Sequence, residues 1–429
     1  MTNRVLLLAF LAFGLLIIGL GALNGSIIAL ALPLCLYLGA AVYFNPGAPQ
    51  ISADRWLSTE GIFPGTPVEV RLTVRNEGQS VSEIDIHDIL PAGLEVLEGE
   101  TEAFVTLAAG EEITLEYTVL GERGDYRFTG VNITVREPFG LFESSLVAQA
   151  SHRLLVRPRP AHLKPMRIRP AQTRGFAGPI PSRQGGHGTD FFVVREYQPG
   201  DPLRRVNWKV AAHGENDLFT NVFEQERVAD IGIILDAREQ SYGDFPNHPL
   251  FESAVQATAS LAEGFLMDGN RVGLLIYGGG IESAFPGTGK IQRQRILHTL
   301  ARARTGRNFA LETLRYLPTR FFPSHSQIVL VSPLVQADIE ILIGLRALGY
   351  SVLVLSPDII HFDAGKVEPL SHGSYALRLA LAERSLMLQK VRRAGVQVID
   401  WNTEIPIEQI ARRYSVLRLA ANRVAEIPT

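Results

Sequence analysis

The sequence predicts a multidomain protein: a transmembrane helical hairpin, then an all-β sandwich, then a doubly wound α/β domain. Three observations carry that expectation. Two nearly unbroken apolar runs, Val5–Leu23 and Ile27–Phe44, open the chain. Short segments that alternate apolar and polar residues then follow one another to about Val156. From about Val228, short apolar runs alternate with stretches whose apolar residues recur every three or four positions. The expected boundaries are 1–48 for the hairpin, 49–156 for the sandwich, 157–227 for a basic, proline-rich linker and a charged signature, and 228–429 for the α/β domain.

The 429 residues have room for two or three domains, each able to bury its own core. A net charge of −3 gives no global attraction to nucleic acid. The mean hydropathy of +0.11 is high, and the excess lies in the two opening runs. Each run is long enough to cross a bilayer core of roughly 30 Å at about 1.5 Å per residue. Asn24-Gly25-Ser26 between them has room only for a tight turn, so both flanks lie on one side. Arg4 precedes the first span and Arg55 is the first cation after the second. The positive-inside rule makes that side cytoplasmic. The expectation is therefore a two-span protein of the inner (cytoplasmic) membrane with its folded domains in the cytoplasm. Ala-Leu-Asn-Gly is a poor cleavage site and a second span follows at once, which argues against a cleaved signal peptide. The lone Cys35 excludes an intrachain disulfide and fits a reducing compartment.

Asn45-Pro46-Gly47-Ala48-Pro49 links the hairpin to Val68–Val74, Ile113–Val119 and Val131–Val135, three runs of period two. Turns such as Asn76-Glu77-Gly78 and Pro91-Ala92-Gly93 separate such runs at a spacing suited to an immunoglobulin-like sandwich. Between Asn76 and Glu122 there are twelve acids and no lysine or arginine, which makes either a solvated acidic face or a docking surface for something basic. The charge then reverses. From Ser144 to Thr189 there is no acid, but Arg153, Arg157, Arg159, Lys164, Arg167, Arg169, Arg174 and Arg183 occur among six prolines. Such a segment suits the acidic sandwich of its own chain or anionic lipid headgroups. It lacks the aromatic pattern that stacks nucleic-acid bases.

Gly185–Lys209 is the most informative stretch. Its charges alternate with Phe191, Phe192, Tyr197 and Trp208, and no regular apolar period runs through it, which argues against a simple strand or helix. Pro199-Gly200-Asp201-Pro202 is a turn by its residue chemistry, with Asp201 placed to cap the next element. The candidate site residues are Asp190, Arg195, Glu196, Tyr197, Gly200, Asp201, Arg204, Asn207 and Trp208. Asp201 and Arg205, four apart, are expected to pair on one helical turn. Arg195 and Glu196 would complete the network over Trp208. That network would lock the domains together, bind a partner, or both.

In the last domain, Asp230–Asp236, Arg271–Gly279, Gln327–Pro333, Tyr350–Pro357 and Val396–Asn402 read as buried strands. Leu250–Met267, Ile291–Ala303, Ile339–Leu348 and Tyr375–Ala394 read as helices. This alternation implies a mostly parallel sheet covered on both faces. Ligands of such folds bind beyond the carboxyl ends of the strands, where Asp236 stands.

Gly188-Thr189-Asp190-Phe191, Arg195-Glu196-Tyr197-Gln198-Pro199-Gly200-Asp201 and Arg204-Arg205-Val206-Asn207-Trp208-Lys209 together resemble the signature of the domain-of-unknown-function 58 family. Glu137-Pro138-Phe139-Gly140-Leu141-Phe142 and the order of the domains resemble it too. The resemblance implies a membrane hairpin, a β-sandwich and a von Willebrand factor A-like domain. It also implies work beside a MoxR-type AAA+ ATPase and other membrane proteins in the assembly or maturation of further proteins. No enzymatic activity is assigned to the family as a whole.

Von Willebrand A domains often bind Mg²⁺ through Asp-x-Ser-x-Ser, because a hard cation wants an octahedron of oxygens. The matching positions are Asp236, Arg238 and Gln240, so both serines are replaced and Ser241 falls one residue late. A guanidinium repels Mg²⁺ and can pair with Asp236, so no cofactor is expected and Arg238 is read as standing in for the cation. Gly287-Thr288-Gly289-Lys290 lacks phosphate-loop spacing and reads as a turn and helix start. No nucleophile elbow and no zinc-protease motif occurs. The reading is a membrane-anchored interaction or assembly factor without a catalytic site. The alternatives are a metal-dependent enzyme built on the α/β domain and a cell-envelope adhesion protein.

Overall fold

The two opening apolar runs form helices α1 (Asn3–Gly21) and α2 (Gly25–Tyr43) in the computed structural model. Both are long and apolar enough to cross a membrane, and most of their side chains face outward rather than into protein. They pack closely near their turn, where a Cβ on Gly19 would stand 2.7 Å from Ile28. The turn lies earlier than expected. Leu23 takes the left-handed conformation (φ 50°) that closes α1, and the Asn24 side chain accepts from Ser26 N at 3.0 Å. That cap draws Gly25 and Ser26 into the first turn of α2.

The described residues are 3–43, 49–136, 141–163, 180–212, 218–243, 248–308, 321–323, 326–364 and 373–412; of these, 3, 82, 180–190, 192, 211, 223–227, 364 and 373–374 are described by their backbone alone. The chain divides into two units, Met1–Arg157 and Pro158–Thr429.

In the first unit the alternating runs become β1 (Ile51–Leu57), β2 (Gly61–Ile62), β3 (Val68–Asn76), β4 (Val81–Asp88), β5 (Leu94–Gly99), β6 (Glu102–Leu107), β7 (Glu112–Gly121), β8 (Gly124–Arg136) and β9 (Glu143–Val156). They form two sheets, β1-β3-β7-β5 and β2-β9-β8-β4-β6. In β3, Val68, Val70, Leu72 and Val74 are fully buried while Glu69 and Arg71 face solvent, the period-two pattern of a strand with one wet face. Each such side chain contributes about 1.5–3 kcal/mol by leaving water.

The sandwich core also holds a polar group that the strand pattern conceals. Arg55 pairs with Asp88, donates to the carbonyl of Ala150 at 2.7 Å and lies over the Phe128 ring at 4.5 Å. The Tyr117 hydroxyl donates to the other Asp88 oxygen. Burial pushes the Asp88 carboxyl up, and the Tyr117 hydroxyl and the Arg55 guanidinium offset this only in part. Arg55, the first cation after the second span, is therefore committed to the core. Arg153 and Arg157 also lie on this unit. Arg153 grips Asp125 at 2.6 and 2.8 Å, and Arg157 donates to the Gly61 carbonyl at 3.0 Å. Lys164, Arg167, Arg169 and Arg174 fall outside the described residues, as does Glu137–Gly140.

The second unit begins on its own core. Ala161 N donates to Ser260 Oγ at 2.8 Å and Leu163 is buried. An antiparallel ribbon of β10 (Ile180–Glu196) and β11 (Phe219–Arg227) follows, with the short helix α3 (Trp208–Ala211) between its strands. Half of the charged, aromatic signature is thus a strand after all. Its pairing slips between Ser182 and Gly185, between Gly186 and Phe191, and between Phe191 and Val193. Such irregularities break the period-two pattern that marks a strand in sequence.

The α/β part runs β12 (Asp230–Ala237), α4 (Pro249–Met267), β13 (Arg271–Gly278), β14 (Ile281–Gly287), α5 (Gly289–Arg302), β15 (Gln327–Val331), α6 (Asp338–Ala347), β16 (Ser351–Pro357), α7 (Ile359–Ala364), α8 (Gly373–Arg393) and β17 (Gln397–Trp401). The sheet order is β14-β13-β12-β15-β16-β17, parallel except for β14. Successive residues of β12 face opposite layers. Ile233 and Leu235 pack with α4 and α5, whereas Ile234 packs with α6 and α8. Both faces are covered, which is why these strands read as continuous apolar runs. The chain moves outward from β12 through β13 to β14, then returns to lay β15 against the other side of β12. That reversal makes the carboxyl ends of β12 and β15 a topological switch point.

Candidate functional site

At the switch point Asp236, the penultimate residue of β12, is fully buried. Its carboxylate does not face an open crevice. Arg238 folds back over it, donating from Nε to Oδ1 at 2.9 Å and from Nη2 to Oδ2 at 2.8 Å. The Arg238 main-chain N–H adds a third contact to Oδ1 at 3.0 Å. The guanidinium also meets Asp338, which opens α6, through Nη1 at 3.0 Å and Nη2 at 2.8 Å. One planar cation is thus held by two carboxylates, each gripped by two nitrogens, the strong form of such pairs. Arg238 is 2% exposed and Asp338 is fully buried.

Neighbouring groups fix the carboxylates. Ser332, just past β15, donates to Asp236 Oδ2 at 2.6 Å and accepts from Leu334 N at 3.0 Å. Leu334 sits at φ 65°, a conformation that a leucine adopts only under constraint. Val335 N donates to Asp338 Oδ2 at 3.0 Å, and the Tyr242 hydroxyl donates to the Asp236 carbonyl at 2.9 Å. Close backbone packing holds the loop above. A Cβ on Gly278 would lie 2.3 Å from the Ala237 carbonyl oxygen, and a Cβ on Gly306 would lie 2.7 Å from Gly279. Only glycines fit this approach.

The electrostatics follow from burial and pairing. Burial pushes the Asp236 carboxyl up, but the Arg238 guanidinium beside it more than offsets this and holds it below its ordinary value. For Asp338 burial prevails over the same guanidinium, and the carboxyl lies above its ordinary value. Burial opposes the charge on Arg238, yet the two carboxylates overcome it and raise its pKa.

These residues do not fit Mg²⁺ while Arg238 is in place. A hard divalent ion needs oxygens at about 2.0–2.1 Å. The nitrogens of Arg238 already stand 2.8–3.0 Å from the oxygens that would supply them. Gln240 lies half-buried on the following 3-10 turn, Glu239–Tyr242. Among the described residues no group of three or more His, Cys, Asp or Glu side chains is arranged to hold a metal.

A second buried arginine secures the same edge of the sheet. Arg384, on α8, donates to the carbonyls of Pro333, Ser356 and Pro357 at 3.2 Å and to Asp400 at 2.8 Å. It ties the loop that carries Ser332 to the ends of β16 and β17.

The signature residues are gathered elsewhere, at the ribbon. Asp201 pairs with Arg195 at 2.7 Å and accepts from Gln198 N at 3.0 Å, not with Arg205 as the four-residue spacing suggested. The reason is the turn. Asp201 N donates to the Gln198 carbonyl at 3.0 Å, and Gly200 takes φ 110°. This reverses the chain before the next 3-10 turn, Leu203–Arg205, so the Asp201 carboxylate faces back toward β10. The Gln198 N–H and the Arg195 guanidinium hold that carboxyl below its ordinary value. Asp201 does not cap the next element; the 3-10 turn starts from Pro202 without a side-chain cap.

Asn207 is the true capping residue. It accepts from Val210 N at 3.2 Å and donates to Asn221 on β11 at 2.9 Å. Tyr197 is joined to Leu218 through its main-chain N–H at 2.7 Å. Glu196 is exposed, and its carbonyl accepts from Arg195 at 2.9 Å. Trp208 is no floor to this network, since it is 64% exposed. Arg204 is exposed as well. Asp190 lies on β10, where the structure describes its backbone alone.

The structure thus separates two groups that the sequence set side by side: the ribbon with its charged turn, and the buried triad. Sequence reasoning missed Asp338 and Arg384. The first had one legible mark, an acid in the first turn of a helix that follows a strand.

Several solved structures show local likeness. The CARDB domain of a Pyrococcus furiosus protein, crystallised with di-metal ions, is 20% identical, covers 25% of this chain and 94% of that one, and has a TM-score of 0.19. Proximal thread matrix protein 1 of the mussel byssus is 16% identical over 30% of this chain and 38% of its own, with a TM-score of 0.24. The uncharacterized protein YeaD of Bacillus subtilis (strain 168) is 26% identical over 252 residues, 58% of this chain. The chain spans 60% of the length of that relative. Residues 193–361, which hold both the charged turn and the triad, match the model of the family described as protein of unknown function DUF58.

Proposed function

We propose that this chain is a membrane-anchored interaction factor whose ribbon signature binds a partner protein. One observation carries the reading. Leu203 and Trp208 are 67% and 64% exposed on a segment anchored by the Asp201–Arg195 pair and by Asn207. A hydrogen-bonded turn that presents a tryptophan, a leucine and the exposed Arg204 and Lys209 has the composition of a binding hot spot. The proposed partner is a MoxR-type AAA+ ATPase, acting with other membrane proteins on a client; this rests on the resemblance of the signature. The strand order and the aspartate near the carboxyl end of β12 support reading the α/β part as von Willebrand factor A-like.

The test is affinity purification of the full chain from solubilised membranes with added nucleotide, followed by mass spectrometry. An AAA+ ATPase is expected in the wild-type eluate. Trp208→Ala and Arg204→Glu should each lower its recovery by at least about tenfold, the effect of losing roughly 1.4 kcal/mol at an anchor. Equal recovery with both variants removes the ribbon from the interface. Absence of any AAA+ ATPase from the wild-type eluate removes the partner.

The hairpin puts both flanks on one side, and Arg4 before the first apolar helix supports making that side the cytoplasmic face of the inner membrane. A reporter active only in the periplasm, fused at the C-terminus, is expected to stay silent. Activity there would reverse the orientation and favour the adhesion reading.

A further inference from the structure

We infer that the guanidinium of Arg238 occupies a competent divalent-cation site, so the switch point of this sheet is a metal position held permanently by a side chain. Three features carry the inference, and none depends on what partner the protein binds.

The first is the donor set. Asp236, Asp338 and Ser332 come from three separate elements: the end of β12, the start of α6 and the loop after β15. Two carboxylates and a hydroxyl converging on one point from different elements are a hard-cation donor set. Their outer contacts are already made. The N–H groups of Arg238, Leu334 and Val335 position Asp236, Ser332 and Asp338, as the supporting shell of a metal site does.

The second is charge. All three ionic side chains are withdrawn from water, with exposures of 0%, 2% and 0% for Asp236, Arg238 and Asp338. With the arginine in place the cluster carries one net negative charge. Without it, two desolvated carboxylates remain and only a cation or protons relieve them.

The third is tethering. Arg238 lies two residues after Asp236, and its main-chain N–H binds the same carboxylate as its side chain. The cation is therefore supplied by the strand end itself, at an effective concentration that free Mg²⁺ does not approach. The consequence is a site whose geometry is independent of divalent ions and of chelators.

Arg238→Ser tests this in the full detergent-solubilised chain, with Mn²⁺ as probe and electron paramagnetic resonance as readout. The serine removes the guanidinium and leaves an oxygen donor. Mn²⁺ is expected to bind this variant at least about a hundredfold more tightly than wild type, and adding Asp338→Asn should remove about tenfold of that gain and leave the rest. Mn²⁺ should also raise the melting temperature of Arg238→Ser and leave that of the wild type unchanged. Because Arg238→Ser alone leaves two buried carboxylates, Arg238→Ser with Asp338→Asn keeps the wild-type net charge and serves as the second variant. It is expected to fold and to bind Mn²⁺ more tightly than wild type. Either variant, folded but no better than wild type at holding Mn²⁺, overturns the inference. So does Mn²⁺ binding to the wild type that Asp236→Asn abolishes.

Discussion

Arg238→Ala is expected to destabilise the second unit by about 3–5 kcal/mol, because it leaves two buried carboxylates without the cation that both hold. Hydrogen exchange read by mass spectrometry separates this from any effect on the sandwich. Amides of β12 and β15, and those of α6, should lose protection, and those of β3 and β7 should not. Arg238→Lys should lose less. It keeps the charge but cannot make the two paired contacts that a planar guanidinium makes with Asp236 and Asp338. Equal protection in wild type and Arg238→Ala would mean that the triad is not what holds the switch point together.

The same network sets a pH dependence. The Asp236 carboxyl lies below its ordinary value in the folded chain. Its contribution is therefore fully present above the unfolded value of about 3.9 and is lost as pH falls through the lower folded value. Asp236→Asn should remove that acid-side loss.

Asp88→Ala is expected to cost the sandwich a comparable amount, about 3–5 kcal/mol, by stranding Arg55 in the core and taking the acceptor from Tyr117. The loss should appear as lowered protection in β1, β4 and β7 while β12 and β15 remain protected. Asp88→Asn keeps an acceptor for Tyr117 and should do less damage. If Asp88→Ala leaves β1, β4 and β7 fully protected, the sandwich is held by its apolar faces alone.

The sequence announced the strands of the sandwich because one face of each is wet, so burial writes an alternation into the residue order, as at Val68–Val74. It announced β12, β13, β15, β16 and β17 because a sheet covered on both faces demands continuous apolar runs. It did not announce β10. The bulges at Ser182/Gly185, Gly186/Phe191 and Phe191/Val193 reset the side-chain phase, so the pattern that identifies a strand is missing there. The pairing of Asp201 was misread for a related reason. Four-residue spacing implies contact only within a helix, and Gly200 turns the chain before any helix begins. The triad was half legible. Arg238 is close to Asp236 in sequence, so their pairing could be argued from spacing. Asp338 lies one hundred residues away and enters through topology alone.

The sequence by itself determined the two apolar spans, the period of the sandwich strands and of the strands and helices that alternate in the α/β part, and the loss of the two serines after Asp236, because each is a local consequence of side-chain chemistry. Only the tertiary structure decided what those residues do. The return of β15 to the side of β12 brings Ser332 and Asp338 to Asp236, and burial there turns an aspartate beside an arginine into a closed ionic cluster. At the ribbon, the reversal at Gly200 directs Asp201 inward to Arg195 and leaves Trp208 in solvent. Local chemistry writes periods and turns into a chain, but the partners of a charge depend on which distant elements the sheet order brings beside it.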